Sequence, residues 1–211
     1  MLKSFVFSVF FLSAATAVWA APQITISTEY YDVRGLTSAE IRANTQAHQK
    51  KTHNFGGCDA LTEGKLRWVG EPPVVHMDIV YKMPRWVDYD QGSAELKARW
   101  DRYYKALQFH EEGHRRICEA EAQAAEQMMQ TADRRSRTFN RDMNILYQNY
   151  DKQQIAYDKE TRHGQNQGVI FEVTEAPPKG MAQAQRREEQ QQKREREAKL
   201  REEWNRRYGS R

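Results

Sequence analysis

The stretch FHEEGHR, residues 109–115, decides how the rest of the chain is interpreted. It places His110 and His114 four residues apart, and residues four apart on a helix lie one above the other, so both imidazoles can point at one spot. Glu111 completes the pattern H-E-x-x-H, in which the histidines bind zinc and the glutamate acts as general base. The stretch therefore predicts a metal site with His110 and His114 as ligands and Glu111 as the catalytic residue.

The sequence around this stretch predicts that it lies on a long helix. Between residues 93 and 131, side chains of one row recur at steps of three and four, and they are Leu96, Trp100, Tyr103, Leu107, His110, His114 and Ile117. Such an apolar row faces the protein interior, so we expect both histidines to face inward. The alternative is a pair of packed histidines that hold no metal.

A catalytic zinc needs a third protein ligand, and the sequence leaves its identity open. His163, in the segment TRHGQNQG that follows a second helical stretch, is the favoured ligand. Asp158 and Glu160 are the alternatives, because a carboxylate from a second helix also completes such sites. His76 is expected on the exposed face of a strand.

The remaining segments predict an α+β fold. Strands are indicated where β-branched and aromatic residues concentrate, at residues 24–33, 65–69, 74–83 and, as a last short strand, 169–171. Further helices are predicted at 38–48 and 141–159. We expect a small antiparallel or mixed sheet packed on the long HEEGH helix and on the second helix, followed by a charged C-terminal helix.

The N-terminus has the pattern of a secretory signal peptide at residues 1–20. Lys3 precedes an apolar run at residues 5–17, and Val18-Trp19-Ala20 offers small residues at the two positions that a signal peptidase reads. The run is shorter than a bilayer span. The mature chain is predicted to begin near Ala21, to have no membrane span and to be secreted or periplasmic.

The C-terminal part is predicted to form a charged tail at residues 181–211, behind a linker at 176–180 and a main domain at 21–175. The tail holds ten Lys and Arg against six Glu, so its net charge of +4 equals that of the whole chain. Its acids are interspersed with its bases, which argues against nucleic-acid binding. A solvated helix or a tail without fixed structure is expected instead, and the alternative is a helix that binds a protein partner weakly through Leu200, Trp204 and Tyr208.

The chain has two cysteines, Cys58 and Cys118. Two thiols in an oxidising compartment usually pair, so a Cys58–Cys118 disulfide is expected. The alternative is that Cys118, one turn beyond His114, is a fourth zinc ligand that closes the site.

Four motifs carry a resemblance to a known family: YYDVRGLTSAEI, C…Y-x-M-P, W-x-R-Y…HEEGH and YD-x-E-T-R-HG-x-x-QG. Over residues 28–171 the chain resembles a bacterial domain-of-unknown-function family described as predicted secreted zinc-dependent proteases. The resemblance implies a zincin-like core, with His110 and His114 as ligands, Glu111 as the catalytic residue and His163 as the third ligand. The charged tail has no counterpart in it.

These observations predict a secreted or periplasmic zinc metallopeptidase, with Zn²⁺ as cofactor and a peptide or protein as substrate. Residues 74–83 are expected to hold an extended substrate as an edge strand, and Tyr157 is a candidate for stabilising the oxyanion. The alternative is a non-catalytic envelope protein with a structural metal site and a partner-binding C-terminal helix.

Overall fold

The computed structural model describes residues 21–51, 57–174 and 181–208. In chain order its elements are β1 (Gln23–Val33), α1 (Ser38–Lys51), β2 (Leu61–Val69), β3 (Val74–Trp86), α2 (Ala94–Thr131), α3 (Phe139–Thr161) and α4 (Met181–Tyr208). Short 3₁₀ turns follow β3 and α3, at Tyr89–Gln91 and Gln165–Gln167. The predicted α+β fold is confirmed, with a small mixed sheet and long helices.

The three strands form one sheet in the order β1-β3-β2. β1 runs parallel to β3, with Ile24 opposite Met77, and β2 runs antiparallel to β3, with Leu66 opposite the same residue. The prediction that residues 74–83 form an edge strand is therefore wrong, because β3 lies in the centre. Its alternating apolar residues bury one face only, and that pattern does not distinguish a central strand from an edge strand.

α2 covers the inner face of the sheet and packs into two apolar clusters. The first gathers large aromatic residues around Trp86, Trp100 and Tyr103. The second consists of smaller side chains, with Met77 and Ile79 of β3 against Ala122 of α2. Ser93 caps the start of α2, since its side chain accepts a hydrogen bond from the backbone N–H of Leu96. The predicted site lies on this long, capped helix.

The chain beyond α3 returns along α2 without forming the strand predicted at residues 169–171. Those residues have no regular secondary structure and pair with no strand in the described part of the chain. Phe171 instead packs against Trp100 and Tyr103, with ring centroids 5.9 and 5.2 Å apart. The backbone N–H of Thr174 then donates to the Ser38 hydroxyl at 3.0 Å, at the start of α1. Phe171 is therefore held by side-chain packing rather than by strand pairing.

The backbone of the charged tail is helical in α4, and those of its side chains that the structure describes are exposed. No helix in the described ranges combines the length and apolar character needed to cross a membrane. The predicted signal peptide at residues 1–20 and the linker at 176–180 lie outside the described residues.

Candidate metal centre

α2 and α3 together bring three ligand atoms to one point. Buried His110 and half-buried His114 lie one turn apart on α2 with their rings nearly perpendicular, and their Nε2 atoms lie 3.3 Å from each other. Asp158 of α3 places its Oδ1 3.2 Å from the Nε2 of His110 and 3.1 Å from the Nε2 of His114. Within the described residues these three side chains form a group whose ligand atoms all lie within 4.8 Å of one another.

Two glutamines orient the histidine rings. The Nδ1 of His110 lies 3.0 Å from the Oε1 of Gln167, and the Nδ1 of His114 lies 2.6 Å from the Oε1 of Gln154. An amide oxygen only accepts hydrogen bonds, so each Nδ1 carries the hydrogen. In the neutral ring each Nε2 then presents a lone pair to the shared point, which is the tautomer a metal ligand needs.

Neither lone pair at this point has a matching donor unless a cation is present. Partial burial of Asp158 opposes its charged form, but the Nε2 atoms of His110 and His114, which donate to the carboxylate when their rings are protonated, outweigh that effect and hold the pKa of the carboxyl well below its usual range. Burial likewise opposes the charged form of His114, yet its bonds to Asp158 and Gln154 raise the pKa of the imidazole above its ordinary value. The group therefore attracts positive charge, either a proton or a metal ion.

Two imidazole nitrogens and one carboxylate oxygen also form a donor set that suits Zn²⁺. The hydrogen bonds that the two Nδ1 groups donate to the glutamines match the supporting contacts usual around ligating histidines. The residues present therefore fit the ion that the H-E-x-x-H pattern predicts.

Glu111 lies beside this group and is almost fully buried, with 3% of its surface exposed. Its Oε2 accepts a hydrogen bond from the Thr62 hydroxyl of β2 at 2.7 Å. Burial raises the pKa of Glu111 above its usual value, although the bond from Thr62 and the neighbouring imidazoles counteract part of the increase. A raised pKa makes the carboxylate a stronger base, which suits a group that takes up and releases a proton.

Tyr157 of α3 packs against the rings of both histidines. Its ring stacks on His110 with centroids 5.1 Å apart, and its hydroxyl donates to the backbone carbonyl of His110 at 3.2 Å. A Cβ added at Gly113 would overlap this ring and hydroxyl, so only glycine lets α3 approach so closely at this position. The Tyr157 hydroxyl also accepts a hydrogen bond from the Nε2 of Gln167 at 3.0 Å, so it both donates and accepts within the protein.

The group opens into a cleft of about 320 Å³ between β2, α2 and α3. The start of β2 forms one wall, with Leu61, Thr62 and Gly64, and α3 forms the opposite wall. Arg42 of α1 and Glu121 of α2 also line the cleft. A molecule in the cleft can therefore reach Glu111 and the metal-binding group together.

The predicted disulfide is wrong, because Cys58 and Cys118 are both free. Cys118 is buried under β2, where its Sγ accepts a hydrogen bond from the Nε2 of Gln154 at 3.3 Å. Cys58 precedes β2 and has its Sγ 3.5 Å from the Nδ1 of His163. The two sulfurs have different partners, since α2 carries Cys118 beneath the sheet while Cys58 remains at the mouth of the cleft. Cys118 does not join the metal-binding group.

His163, the third ligand favoured by the sequence, lies outside the group of three, and Asp158 occupies that position. The side chain of His163 is 60% exposed, and its Nδ1 is 3.4 Å from the Oδ1 of Asp158. α3 ends at Thr161 and the chain turns there, so His163 sits beyond the face that α3 presents to α2. Glu160, the other alternative, is exposed on α3.

Sequence reasoning missed Thr62, Gln154 and Gln167. A lone threonine in a strand and single glutamines in a polar chain have no spacing that ties them to the H-E-x-x-H pattern. The one available signal was the QG that ends the YD-x-E-T-R-HG-x-x-QG motif, which includes Gln167.

The comparisons with known proteins return one family. A family model described as "Bacterial protein of unknown function (DUF922)" matches residues 28–164, which is more than half of the chain. The chain belongs to this family. Comparison with curated proteins and with solved structures gave no match in either set.

Proposed function

We propose that this member of the family is a secreted or periplasmic zinc-dependent metallopeptidase. One observation carries the proposal: two imidazole nitrogens with their lone pairs turned inward and one carboxylate oxygen meet within 3.3 Å, next to a buried glutamate. In this proposal His110, His114 and Asp158 hold the ion. Three protein ligands leave a tetrahedral zinc with an open position, which is the arrangement of catalytic zinc sites.

A zinc ion held there would lower the pKa of a bound water molecule and polarise a substrate carbonyl. Glu111 accepts the proton of the attacking water and delivers it to the nitrogen of the leaving amine. Thr62 donates to the Oε2 of Glu111 at 2.7 Å and so holds the carboxylate in one orientation. Burial around Glu111 raises the proton affinity of its carboxylate, which favours its role as the acceptor of the water proton.

β2 is the strand that suits an extended peptide. It is an edge of the sheet, because β3 pairs with it on one side and the order ends there. Its residues Leu61, Thr62 and Gly64 line the cleft beside the metal-binding group. A peptide paired with this edge by backbone hydrogen bonds would place one of its carbonyls near Glu111.

The experiment is a metal analysis of the purified mature chain together with hydrolysis of a general protein substrate. Wild type is expected to hold about one zinc per chain and to cleave. The variant Glu111→Gln should keep the zinc and lose activity by about 1,000-fold or more, because the amide cannot accept the proton.

The matched control is Glu112→Gln, which changes the next residue of the same helix. Glu112 is exposed and pairs with Arg116, so its loss should leave both zinc content and cleavage near wild type. A wild type without zinc, or a Glu111→Gln variant that cleaves as fast as wild type, would refute the peptidase proposal. A zinc-loaded chain that cleaves nothing would favour the non-catalytic envelope protein.

A further inference from the structure

β1 has an exposed edge on the side of the sheet away from the cleft. Within the described part of the chain, the order β1-β3-β2 leaves β1 paired on one side only. Residues 25–30 are all exposed, on both faces of the sheet, whereas Tyr31 and Val33 near the end of the strand are buried. β1 pairs with β3 in parallel, and parallel pairs are usually covered on both faces. The exposure of residues 25–30 is therefore unusual for a strand of this type.

The exposed stretch carries large apolar side chains on the face of the sheet that α2 covers at β3. Ile26 lies opposite Ile79 and Tyr30 lies opposite Met83, and both residues of β3 are buried. Ile26 and Tyr30 are nevertheless 48% and 52% exposed. Apolar side chains that are exposed together along a sheet edge are typical of a surface that contacts another chain.

β1 also lacks the features that keep edge strands from pairing with other chains. Such strands are usually short, interrupted by a bulge, or protected by lysine or proline. β1 is 11 residues long and its register with β3 continues without a bulge from Gln23 to Val33. It contains no lysine, arginine or proline, and its charged residues are Glu29 and Asp32. The strand is therefore suited to pair with a further strand.

The sequence of β1 is complementary to itself about Thr28. When two copies of β1 run antiparallel with Thr28 opposite Thr28, residues at equal distances on either side of it lie opposite each other. Ile26 of each copy then lies opposite Tyr30 of the other, and an aromatic residue with a β-branched residue is a favourable cross-strand pair. On the other face Ser27 lies opposite Glu29, whose carboxylate can accept a hydrogen bond from the serine hydroxyl. The dimer would contain each of these pairs twice.

The neighbouring registers are less complementary. A pairing centred on Glu29 would place the two Glu29 carboxylates directly opposite each other, which is destabilising. A pairing centred on Ser27 would place Tyr30 opposite Ile24, which is already half-buried against the core. The register centred on Thr28 is the one that pairs the two exposed apolar side chains with each other.

This pairing places the two α2 helices on the same face of one continuous sheet. An antiparallel pair of identical edges is related by a two-fold axis perpendicular to the sheet, so the inner faces of both copies lie on the same side. Strands lie about 4.8 Å apart, so the two α2 helices, each over its own β3, would be roughly 14 Å apart. Tyr104 and Glu112 of α2 line a cavity of about 120 Å³ together with Thr28 and Tyr30. That cavity would lie at the dimer interface.

We propose that this protein forms a two-fold symmetric dimer in which β1 pairs antiparallel with β1 of a second copy about Thr28, so that the two sheets of three strands join into one. The cleft with the metal-binding group lies along β2, at the opposite edge of the sheet. Both clefts therefore stay accessible in the dimer. The pairing requires neither bound zinc nor peptidase activity, so it can be tested independently of the proposed function.

Sedimentation equilibrium of the full mature chain over the micromolar range measures the dimer Kd. Ile26→Lys and Tyr30→Glu should each raise this Kd by about 30-fold, because each variant removes both apolar pairs. The double variant Ile26→Lys/Tyr30→Glu sets opposite charges against each other in both pairs and should return the Kd to within about fivefold of wild type. Circular dichroism should show an unchanged fold, since both side chains are exposed.

Ile155→Lys is the matched control, because Ile155 is also exposed, at 68%, but lies on α3 away from β1. This variant should have the dimer Kd of wild type. Equal weakening by Ile155→Lys and Ile26→Lys would show that the added charge acts without regard to its position and would overturn the proposal.

Disulfide formation tests the register directly, in a Cys58→Ser background. Residues opposite each other in an antiparallel pair have Cα atoms about 4.5–5.5 Å apart, within reach of a disulfide. Thr28→Cys should therefore crosslink most of the dimer on mild oxidation. Thr25→Cys should not crosslink, because its two copies would be roughly 20 Å apart across the two-fold axis. Ser27→Cys should crosslink weakly, since its copies would be about 7–8 Å apart.

Three outcomes would overturn the proposal. A wild type that stays monomeric throughout the micromolar range would mean that a second copy does not cover the edge of β1. A dimer that neither Ile26→Lys nor Tyr30→Glu weakens would use another surface. A dimer that crosslinks at Thr25 or Ser27 as readily as at Thr28 would have a different register.

Discussion

The two ends of α2 pack in different ways, although α2 is one uninterrupted helix. Its N-terminal half enters the aromatic cluster, where Trp100 lies 5.5–6.0 Å from the rings of Tyr103, Trp86, Phe171 and Tyr104. Its C-terminal half presents small residues such as Ala122 and Ala125 to Met77 of the sheet. Both ends are stabilised by burial of apolar surface.

Between them, from His110 to His114, the helix makes its contacts with polar groups. The two histidines and Glu111 in this middle section are each held by a hydrogen bond to another part of the chain: Gln167 and Gln154 for the histidines, and Thr62 for Glu111. Apolar packing on either side fixes where these groups lie, and the polar contacts fix how they are oriented. The comparison predicts that the ends of α2 determine stability without metal, and that the middle responds to metal.

The largest effect on stability is expected from Trp100→Ala at the aromatic end. Truncation of a Trp that is only 6% exposed leaves a cavity among four rings and should cost about 3–5 kcal/mol of unfolding free energy. Chemical denaturation of the metal-free chain measures the loss. Any fraction that remains folded should still bind zinc, because Trp100 touches none of the three ligands. A loss below about 1 kcal/mol would contradict the assigned role of this cluster.

Metal removal should have an effect of similar size, and it acts on the middle of α2. A ligand that binds only the folded state at 1,000 times its Kd adds about 4 kcal/mol of stability. Chelation by EDTA should therefore lower the Tm of wild type by roughly 10 °C. The Tm of Asp158→Asn should be lower than that of wild type even without chelator, and it should change little when EDTA is added.

Glu160→Gln is the matched control for Asp158→Asn, since Glu160 lies two residues further along α3 and is exposed. It should respond to EDTA as wild type does. Loss of the EDTA response in Glu160→Gln, with its retention in Asp158→Asn, would move the third ligand from Asp158 to Glu160.

Gly113→Ala tests the close approach of α3 to the middle of α2. Helix propensity alone would favour alanine by about 1 kcal/mol. The new Cβ would overlap Tyr157, whose ring stacks on His110, so we expect a net loss of about 2 kcal/mol and weaker zinc binding. The double variant Gly113→Ala/Tyr157→Ala should be less destabilised than the sum of its two single variants. Strict additivity in this cycle would show that the overlap does not exist.

The smallest effect concerns Glu121, toward the C-terminal end of α2. Burial, together with the charge of Asp151 on α3, raises the pKa of Glu121 to about 7. A group whose pKa is higher in the folded state contributes stability at low pH and loses it as the pH rises, here between about 4.5 and 7. Glu121→Gln removes this loss. The variant should match wild type at pH 4 and be more stable at pH 8 by roughly 1 kcal/mol, after allowance for solvent screening.

Denaturation at the two pH values gives the comparison. Asp151→Asn should produce part of the same gain at pH 8, because it removes the charge that faces Glu121. A stability difference between Glu121→Gln and wild type that is equal at both pH values would contradict the raised pKa.

The sequence predicted the helices well and the pairing of elements less well. α2 was predicted nearly to its ends because its apolar row continues from Leu96 through the two histidines, and a period of 3.6 is a local property. The prediction of a strand at 169–171 was wrong because Phe171 packs against aromatic side chains of α2 and does not pair with a neighbouring strand. The edge position expected for residues 74–83 was wrong because strand order depends on contacts between residues far apart in the chain.

The features of the site also fall into those that the sequence predicted and those that depend on how the elements pack. The sequence alone determined the spacing of His110 and His114, the neighbouring Glu111 and the inward row that contains them, because positions four apart on a helix have a fixed geometry. Only the tertiary structure brought Asp158 to the histidines, turned Gln154 and Gln167 toward their rings, and kept Cys58 and Cys118 apart. Those relations depend on how α3 and β2 pack against α2, and the packing of whole elements sets distances that no local spacing encodes.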